Sequence, residues 1–408
     1  MTAEAPIYLD NHATTRLDPR VLEAMLPWLT EHYGNAGSVT HEFGREAREA
    51  VEAARETFAA AIGAVPREIV FTSGATEATN LALLGTAARL RRLADGVARG
   101  HFLTLVTEHA AVLDPLEHLE REGFSVTRLP VARQGDADEL VGRVRLADLQ
   151  AALRPDTALV SVLLANNEIG VIQDLPAIAT LVHEAGALLH IDASQAVGRM
   201  PVDVDSLGAD LASFSGHKFH GPKGSGALYV RRRGRAVRLE PLSFGGGQER
   251  GLRSGTLDVP GIVGFAEAAR LAGTDLEADV LQMRALRDRL WEALAQGIPG
   301  LELNGPALEG CDRAGEPIRL VNNLNVHVPG VDGQTLLATL AADRLAVSSG
   351  SACASESPRP SHVLQAIGRD EDQARASLRF GLSRFTTAEE VEAAAALIAA
   401  AATRLRAG

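Results

Sequence analysis

Between about Val51 and Val230 the chain repeats one pattern: a short apolar run, a polar turn, then a stretch of helical period. EIVFTS (68–73), HFLTLVT (101–107), FSVTRLPV (124–131), ALVSVLLA (158–165) and ALLHID (187–192) read as strands. GATEATNLALLG and PAIATLVHEAG, lying between such runs, read as helices. The strands are apolar almost throughout instead of alternating, so both of their faces must be buried. Strands of this kind separated by helices form a mostly parallel sheet with helices on both sides, because a parallel neighbour is reached only by a crossover. The chain is thereby restricted to the α/β class, and in such sheets ligands sit beyond the carboxyl ends of the strands.

After about Gly264 the pattern changes. A long helix over roughly 275–296 leads into shorter strands and helices, among them LVNNLNVHV and the terminal TAEEVEAAAALIAAAATRLR. A chain of 408 residues exceeds what one core usually serves. These features predict a large domain over 16–264 and a smaller α+β domain made of 1–15 and 265–408. LEGCDRAGEP (308–317) reads as a surface loop.

Several function classes are disfavoured. A formal charge of −12 argues against nucleic acid as a direct partner. No apolar run is long enough to span a bilayer; the alanine-rich stretch near Leu397 is interrupted by Glu392 and Arg404. MTAEAPIYLD has no basic region followed by an apolar one, so no signal peptide is visible and a cytoplasmic location is expected. Cys311 and Cys353, the two cysteines, form no CxxC pair, so neither a disulfide framework nor an intrinsic metal site is expected.

The chain has two lysines, Lys218 and Lys223, both inside SFSGHKFHGPKG; its other side-chain cations are arginines and histidines. Coding bias accounts for the scarcity, but not for the two exceptions sharing one turn. Arginine replaces lysine as a solvated charge, yet its guanidinium stays protonated and is no amine nucleophile. A retained lysine points to Schiff-base chemistry. Lys218 is the candidate, and Lys223 reads as a lysine in a turn.

Polar residues gather where strand ends are expected: Ser73-Gly74-Ala75-Thr76, Glu108-His109, Asn166-Asn167-Glu168, Asp192 to Gln195, and Ser215 to Lys218. Ser73 to Thr76 joins a strand to a helix, a site for an anion, though the same residues would serve as an ordinary N-cap. Asp192 ends a buried strand, where a lone carboxylate is costly, so it should meet a cation; a pyridinium nitrogen would serve. Ser215 adds a hydroxyl for a phosphate. An aldehyde-binding lysine, a carboxylate for a ring nitrogen and an anion site together describe pyridoxal 5'-phosphate binding. His109 would stack on the ring or move protons, or be a satisfied structural histidine. Cys353 lies in LAVSSGSACASESPRP, a small, polar, proline-bounded stretch about 347–360, as a mobile reactive thiol or an exposed inert one; Cys311 reads as inert.

With these residues assembled, the chain resembles the cysteine desulfurases of the housekeeping iron–sulfur assembly type. They are a branch of the class V aminotransferase family of fold type I pyridoxal-phosphate enzymes. The likeness runs from YLDNHATT (8–15) to RFTTAEEV, through REIVFTSGATEATNLA, TEHAAVLD, NNEIGVIQD, HIDASQAVG, SFSGHKFHGPKGSGALYVRR, GGGQERGLRSGT and SSGSACAS. It implies that Lys218 carries the cofactor, Asp192 pairs with the ring nitrogen, His109 stacks on the ring and Gln195 bonds its phenolic oxygen. It further implies that Ala75, Thr76, Ser215 and His217 hold the phosphate, joined by Thr256 from the other subunit of a homodimer. Asn167 and Arg379 would contact L-cysteine, and Cys353 would accept its sulfur. The sulfur would then pass to acceptor proteins such as an iron–sulfur scaffold, or to tRNA thiolation, with Cys353 transiently ligating a cluster held by a scaffold partner. Some members carry a longer tail after the equivalent of RLRAG that docks the scaffold, and the present sequence does not imply that contact. The alternatives are a selenocysteine lyase or another enzyme of the class V family, and a protein that binds the cofactor but works as an assembly platform.

Overall fold

A computed structural model describes residues 6–97, 100–136, 140–312, 315–349 and 360–407. Its centre is a seven-stranded sheet. Across the sheet the order is Ile69–Thr72, Gly226–Val230, Leu211–Ser215, Leu188–Asp192, Thr157–Leu163, His101–Leu105 and Ser125–Leu129. Gly226–Val230 runs antiparallel to both neighbours, and the remaining pairings are parallel. Ile69–Thr72 therefore points the same way as the rest, and their carboxyl ends share one rim. The reversal at Gly226 follows from the short connection 216–225, which has no room for a crossover helix.

Both faces of the sheet are buried over six strands, as their unbroken apolar runs required; the edge strand Ser125–Leu129, with Ser, Thr and Arg in its run, is only partly covered. On one face Phe58 of the helix Glu42–Ala61 packs on Phe214 (centroids 5.2 Å apart) and on Phe265 (4.6 Å), and Phe265 meets Phe71 and Phe219. Few aromatics are present, and five phenylalanines meet at this crossing of helices and strands. The other face is covered by the helices Ala75–Leu93 and Ala110–Arg121 through Leu81, Leu83, Leu116 and Leu119. The helix Val259–Thr274 lays its apolar residues, as far as Ala272, into the first of these cores.

A separate core is formed by Leu286, Leu290 and Leu294 of the helix Leu276–Gly297 with the terminal helix Ala388–Ala407. They pack on the antiparallel strands Glu302–Leu303, Asn323–His327 and Ser377–Gly381. Leu9 belongs to this core, and Ile7–Tyr8 pairs in parallel with Leu345–Ala346. Arg384 ties the two parts together through Asp18 (3.4 Å), Asp275 (3.1 Å) and Asp279 (2.6 Å). Among the described residues no helix is long and apolar enough to cross a membrane, and no cluster of metal-ligating side chains occurs.

Candidate active site

The shared rim opens into a cavity of about 500 Å³. Ala75, Thr76, His109, Asn167, Asp192, Gln195, Ser215, His217, Lys218 and Arg379 all line it. Thr256 is not among the lining residues of its own chain and stands on an exposed loop. Cys353 lies outside the described residues. His12, Glu108, His362 and Lys223 also line the cavity.

One wall is an anion turn. The strand Ile69–Thr72 hands over to the helix Ala75–Leu93 through Gly74, whose φ of +151 suits glycine. Gly74 is the N-cap and offers no side-chain acceptor, so the N–H groups of the first turn stand at the cavity without a side-chain cap. Gly226 passes close behind: a Cβ there would lie 2.5 Å from Gly74 Cα. The dipole and the N–H groups of such a turn suit a phosphate. His217 stands nearby, with its Nδ1 3.0 Å from Thr14 Oγ1. Burial first, then the charge of Lys218, lowers its pKa to about 4, so it is neutral near pH 7.

The Lys218 ammonium is aimed by main-chain oxygens: Nζ donates to the carbonyls of His12 (2.6 Å) and Ala13 (2.8 Å). Behind it, Arg199 Nη2 donates to the Lys218 carbonyl at 2.8 Å, and Nη1 donates to Gln195 Oε1 at 3.1 Å. Gln195 Nε2 donates to the His12 carbonyl at 3.0 Å. The tautomer of His12 follows from its neighbours. Arg319, which can only donate, bonds Asn323 Oδ1 through Nε (3.3 Å) and Nη2 (3.1 Å). Asn323 Nδ2 therefore donates to His12 Nε2 (3.1 Å), and His12 Nδ1–H donates to Gln195 Oε1 (3.0 Å). Burial, then Arg199 and Arg379, holds the His12 pKa well below the usual histidine range. His12 is a neutral relay that orients Gln195. It sits in the YLDNHATT stretch, but its role depends on Asn323, far along the chain.

Asp192 ends its strand with 8% exposure. Its Oδ1 accepts from the Ser194 N–H (3.0 Å) and hydroxyl (2.5 Å), and among the described residues no ion pair reaches it. A buried carboxylate without a protein cation suits a cationic ligand. Glu108 contrasts with it. Its Oε1 accepts from Leu163 N–H (2.9 Å), while Oε2 is buried with no hydrogen-bond partner among the described residues. Burial outweighs that N–H, and with the Asp192 charge adding, it pushes the Glu108 pKa well above the usual carboxylate range. Glu108 thus keeps its proton to higher pH than an ordinary carboxyl, a property not legible in TEH. His109 caps its own helix: Nδ1 accepts from Ala111 N–H at 3.0 Å, so the neutral ring carries its proton on Nε2. His362 donates from Nε2 to the Glu108 carbonyl at 3.0 Å. Arg379, 1% exposed, reaches Asp10 Oδ1 (2.8 Å) and the Asn167 carbonyl (3.2 Å).

A family model described as aminotransferase class-V matches residues 7–394. The chain is 51% identical over 402 residues to a protein named cysteine desulfurase IscS from Anaeromyxobacter dehalogenans (strain 2CP-C), spanning 98% of this chain and 93% of that relative. It is 50% identical over 406 residues to one of the same name from Neisseria meningitidis serogroup A, spanning 100% and 94%. A solved structure of a NifS-like protein superposes with a TM-score of 0.86 at 38% identity, over 98% of this chain and 100% of that one. Another, described as SspA in complex with cysteine, has a TM-score of 0.75 at 34% identity, over 93% and 100%.

Proposed function

The chain belongs to the class V aminotransferase family, and on that footing we propose that it is a cysteine desulfurase. It takes sulfur from L-cysteine, releases L-alanine, and holds the sulfur as a persulfide on Cys353 for delivery to proteins that assemble iron–sulfur clusters. The names of the relatives and the cysteine-bound neighbour support this reading. The observation that carries it is the pairing, in one cavity, of a lysine amine with a buried carboxylate that meets no protein cation among the described residues.

That pairing and the uncapped anion turn fit pyridoxal 5'-phosphate. When bound, the cofactor supplies an electron sink that makes the substrate's α-proton acidic. Asp192 would hold the ring nitrogen, and Gln195, oriented by His12 and Arg199, would bond the ring oxygen. Ala75, Thr76, Ser215 and His217 would hold the phosphate, completed by Thr256 of a second subunit in a homodimer. The exposed position of Thr256 and the 84% exposure of Phe244 near it in sequence support that partner. Arg379 grips the substrate carboxylate as a planar fork, beside Asn167. Lys218 is the base that takes the α-proton, and His109, with its proton on Nε2, is a proton donor to the reacting atoms. The Cys353 thiolate attacks the substrate sulfur: the new S–S bond forms as the Cβ–S bond breaks, and the electron pair left on carbon is protonated to give L-alanine.

The test is the intact mass of reduced protein after brief exposure to L-cysteine, with the modified peptide mapped. A gain of one sulfur on Cys353 that disappears in Lys218→Ala is expected. Cys353→Ala should keep the cofactor and lose sulfur transfer. No sulfur gain, together with amino transfer to a keto acid, would replace this reading with an aminotransferase.

A further inference from the structure

The segment GGGQERGLRSGT contains two adjacent non-glycine residues in the left-handed region, Glu249 at φ +47 and Arg250 at φ +55. Neither residue type favours that conformation, so the surroundings must impose it. At Glu249 the cause is visible. Its carboxylate, 1% exposed, receives Arg55 end-on, with Nη2 to Oε1 at 2.8 Å and Nη1 to Oε2 at 2.9 Å. The main-chain N–H of Phe71 donates to Oε2 at 2.9 Å. Arg55 is itself 4% exposed, lies 4.7 Å from the Phe71 ring centroid, and donates to the Ile69 carbonyl at 3.0 Å. The anchor thus grips the strand that ends in the anion turn.

Two further bonds carry this rigidity outward. Arg253 Nε donates to Glu77, in the first turn of the helix Ala75–Leu93, at 2.8 Å. Gln248 Oε1 accepts from Gly255 N–H at 2.9 Å. Beyond them Gly255 and Thr256 stand exposed, and Thr256 is not among the residues lining its own chain's cavity. A groove of about 520 Å³ lies beside the anchor, lined by Arg48, Arg55, Gly246, Glu249 and Leu257. A buried ion pair often adds no more stability than apolar residues of the same shape. A strained one beneath an exposed tip is better explained by a need to hold that tip in one place.

We propose that the Arg55–Glu249 ion pair is a positioning device that presents the tip at Thr256 to the cofactor pocket of a second copy of this chain. The inference rests on the reading that the pocket is shared across a homodimer, and adds which residues hold the shared element. Loss of the anchor in one chain then weakens cofactor retention in the other.

Hybrid dimers test this, made by co-expressing differently tagged chains, with cofactor absorbance and its rate of loss as readouts. Lys218→Ala silences one pocket, so each hybrid has a single live one. When a Glu249→Ala chain pairs with a Lys218→Ala chain, the live pocket loses the anchor on its own strand but faces an intact tip, and retention should stay closer to that of the hybrid of wild type with Lys218→Ala than in the reciprocal hybrid. When wild type pairs with a Lys218→Ala/Glu249→Ala chain, the live pocket faces the altered tip, and the cofactor should leave about tenfold faster or more, the loss of one hydrogen bond from the tip to a charged phosphate. The reverse pattern, or equal retention in both, overturns the proposal. Glu249→Gly removes the anchor and the backbone strain together and should behave as Glu249→Ala; wild-type retention would make the strain, not the anchor, the cause and overturn the proposal. If Glu249→Ala does not fold, the isosteric Glu249→Gln should give the same asymmetry at smaller size. Sedimentation separates the two readings: a dimer with equal retention keeps the shared pocket and removes the anchor, whereas a monomer removes both.

Discussion

Replacing Gly226 by alanine should weaken cofactor binding from outside the binding surface. The new Cβ would lie 2.5 Å from Gly74 Cα, 2.8 Å from Gly74 C and 2.5 Å from Phe214 O. All three are backbone atoms, so no side-chain rotation relieves the contact. Ordinary approach of a Cβ is about 3.4–4 Å, leaving an overlap near 1 Å on two sides, and overpacking of this kind costs about 1–3 kcal/mol. Phe214 belongs to a central strand, whereas Gly74 belongs to a turn, so the turn yields first. Displacing it moves the N–H groups at Ala75 and Thr76 from their common focus. If that energy comes off phosphate binding, the affinity for pyridoxal 5'-phosphate falls by about 5- to 150-fold. Titration of the apoprotein, followed by absorbance, measures this, and urea denaturation of the same samples measures stability. Gly273→Ala is the control: it has open space around it near the end of the helix Val259–Thr274, and should leave affinity unchanged while gaining up to about 1 kcal/mol. Unchanged affinity and unchanged stability in Gly226→Ala would refute the close-approach argument.

Arg379→Lys keeps a charge but loses the planar fork, so KM for L-cysteine should rise about tenfold or more in an alanine-release assay; an unchanged KM would remove Arg379 from substrate binding. Glu108→Gln should be more stable than wild type near neutral pH. The folded state holds the Glu108 proton where the unfolded chain has released it, so stability is lost as pH rises above the ordinary carboxylate range, and glutamine removes that loss. Denaturation curves at pH 5 and 8 check it, and a wild-type slope retained in the variant would contradict it. His190, His217 and His220 act in the opposite sense, each lowered to about 4, by burial first. The unfolded state binds more protons below about pH 6.5, so their contribution is complete above that pH and disappears as pH falls towards 4. A flat stability profile across that window would show that these rings are not held neutral.

Much of the fold and site was legible because it rests on local pattern. EIVFT, HFLTL, ALVSVLL and ALLHID are strands because unbroken apolar runs need cover on both faces, and the polar residue that ends each run is automatically on the rim. Lys218 was marked by the rarity of its residue type, and Asp192 by a charge at the end of a buried strand. His12 carried no such mark. Its proton sits on Nδ1 only because Arg319 turns Asn323, and Asn323 meets it from another sheet. Lys223 read as a turn lysine, and the path of the chain brings it to the cavity.

The sequence by itself therefore determined the class of fold and the order in which the residues lining the cavity occur, since residue type and short-range periodicity are enough for these. Tertiary structure alone decided which carboxyl holds its proton more tightly than usual, which histidine nitrogen holds the proton, and which arginine anchors the strained Glu249. Those properties depend on desolvation and on hydrogen bonds between residues as distant as Arg55 and Glu249, and neither exists until the chain has folded.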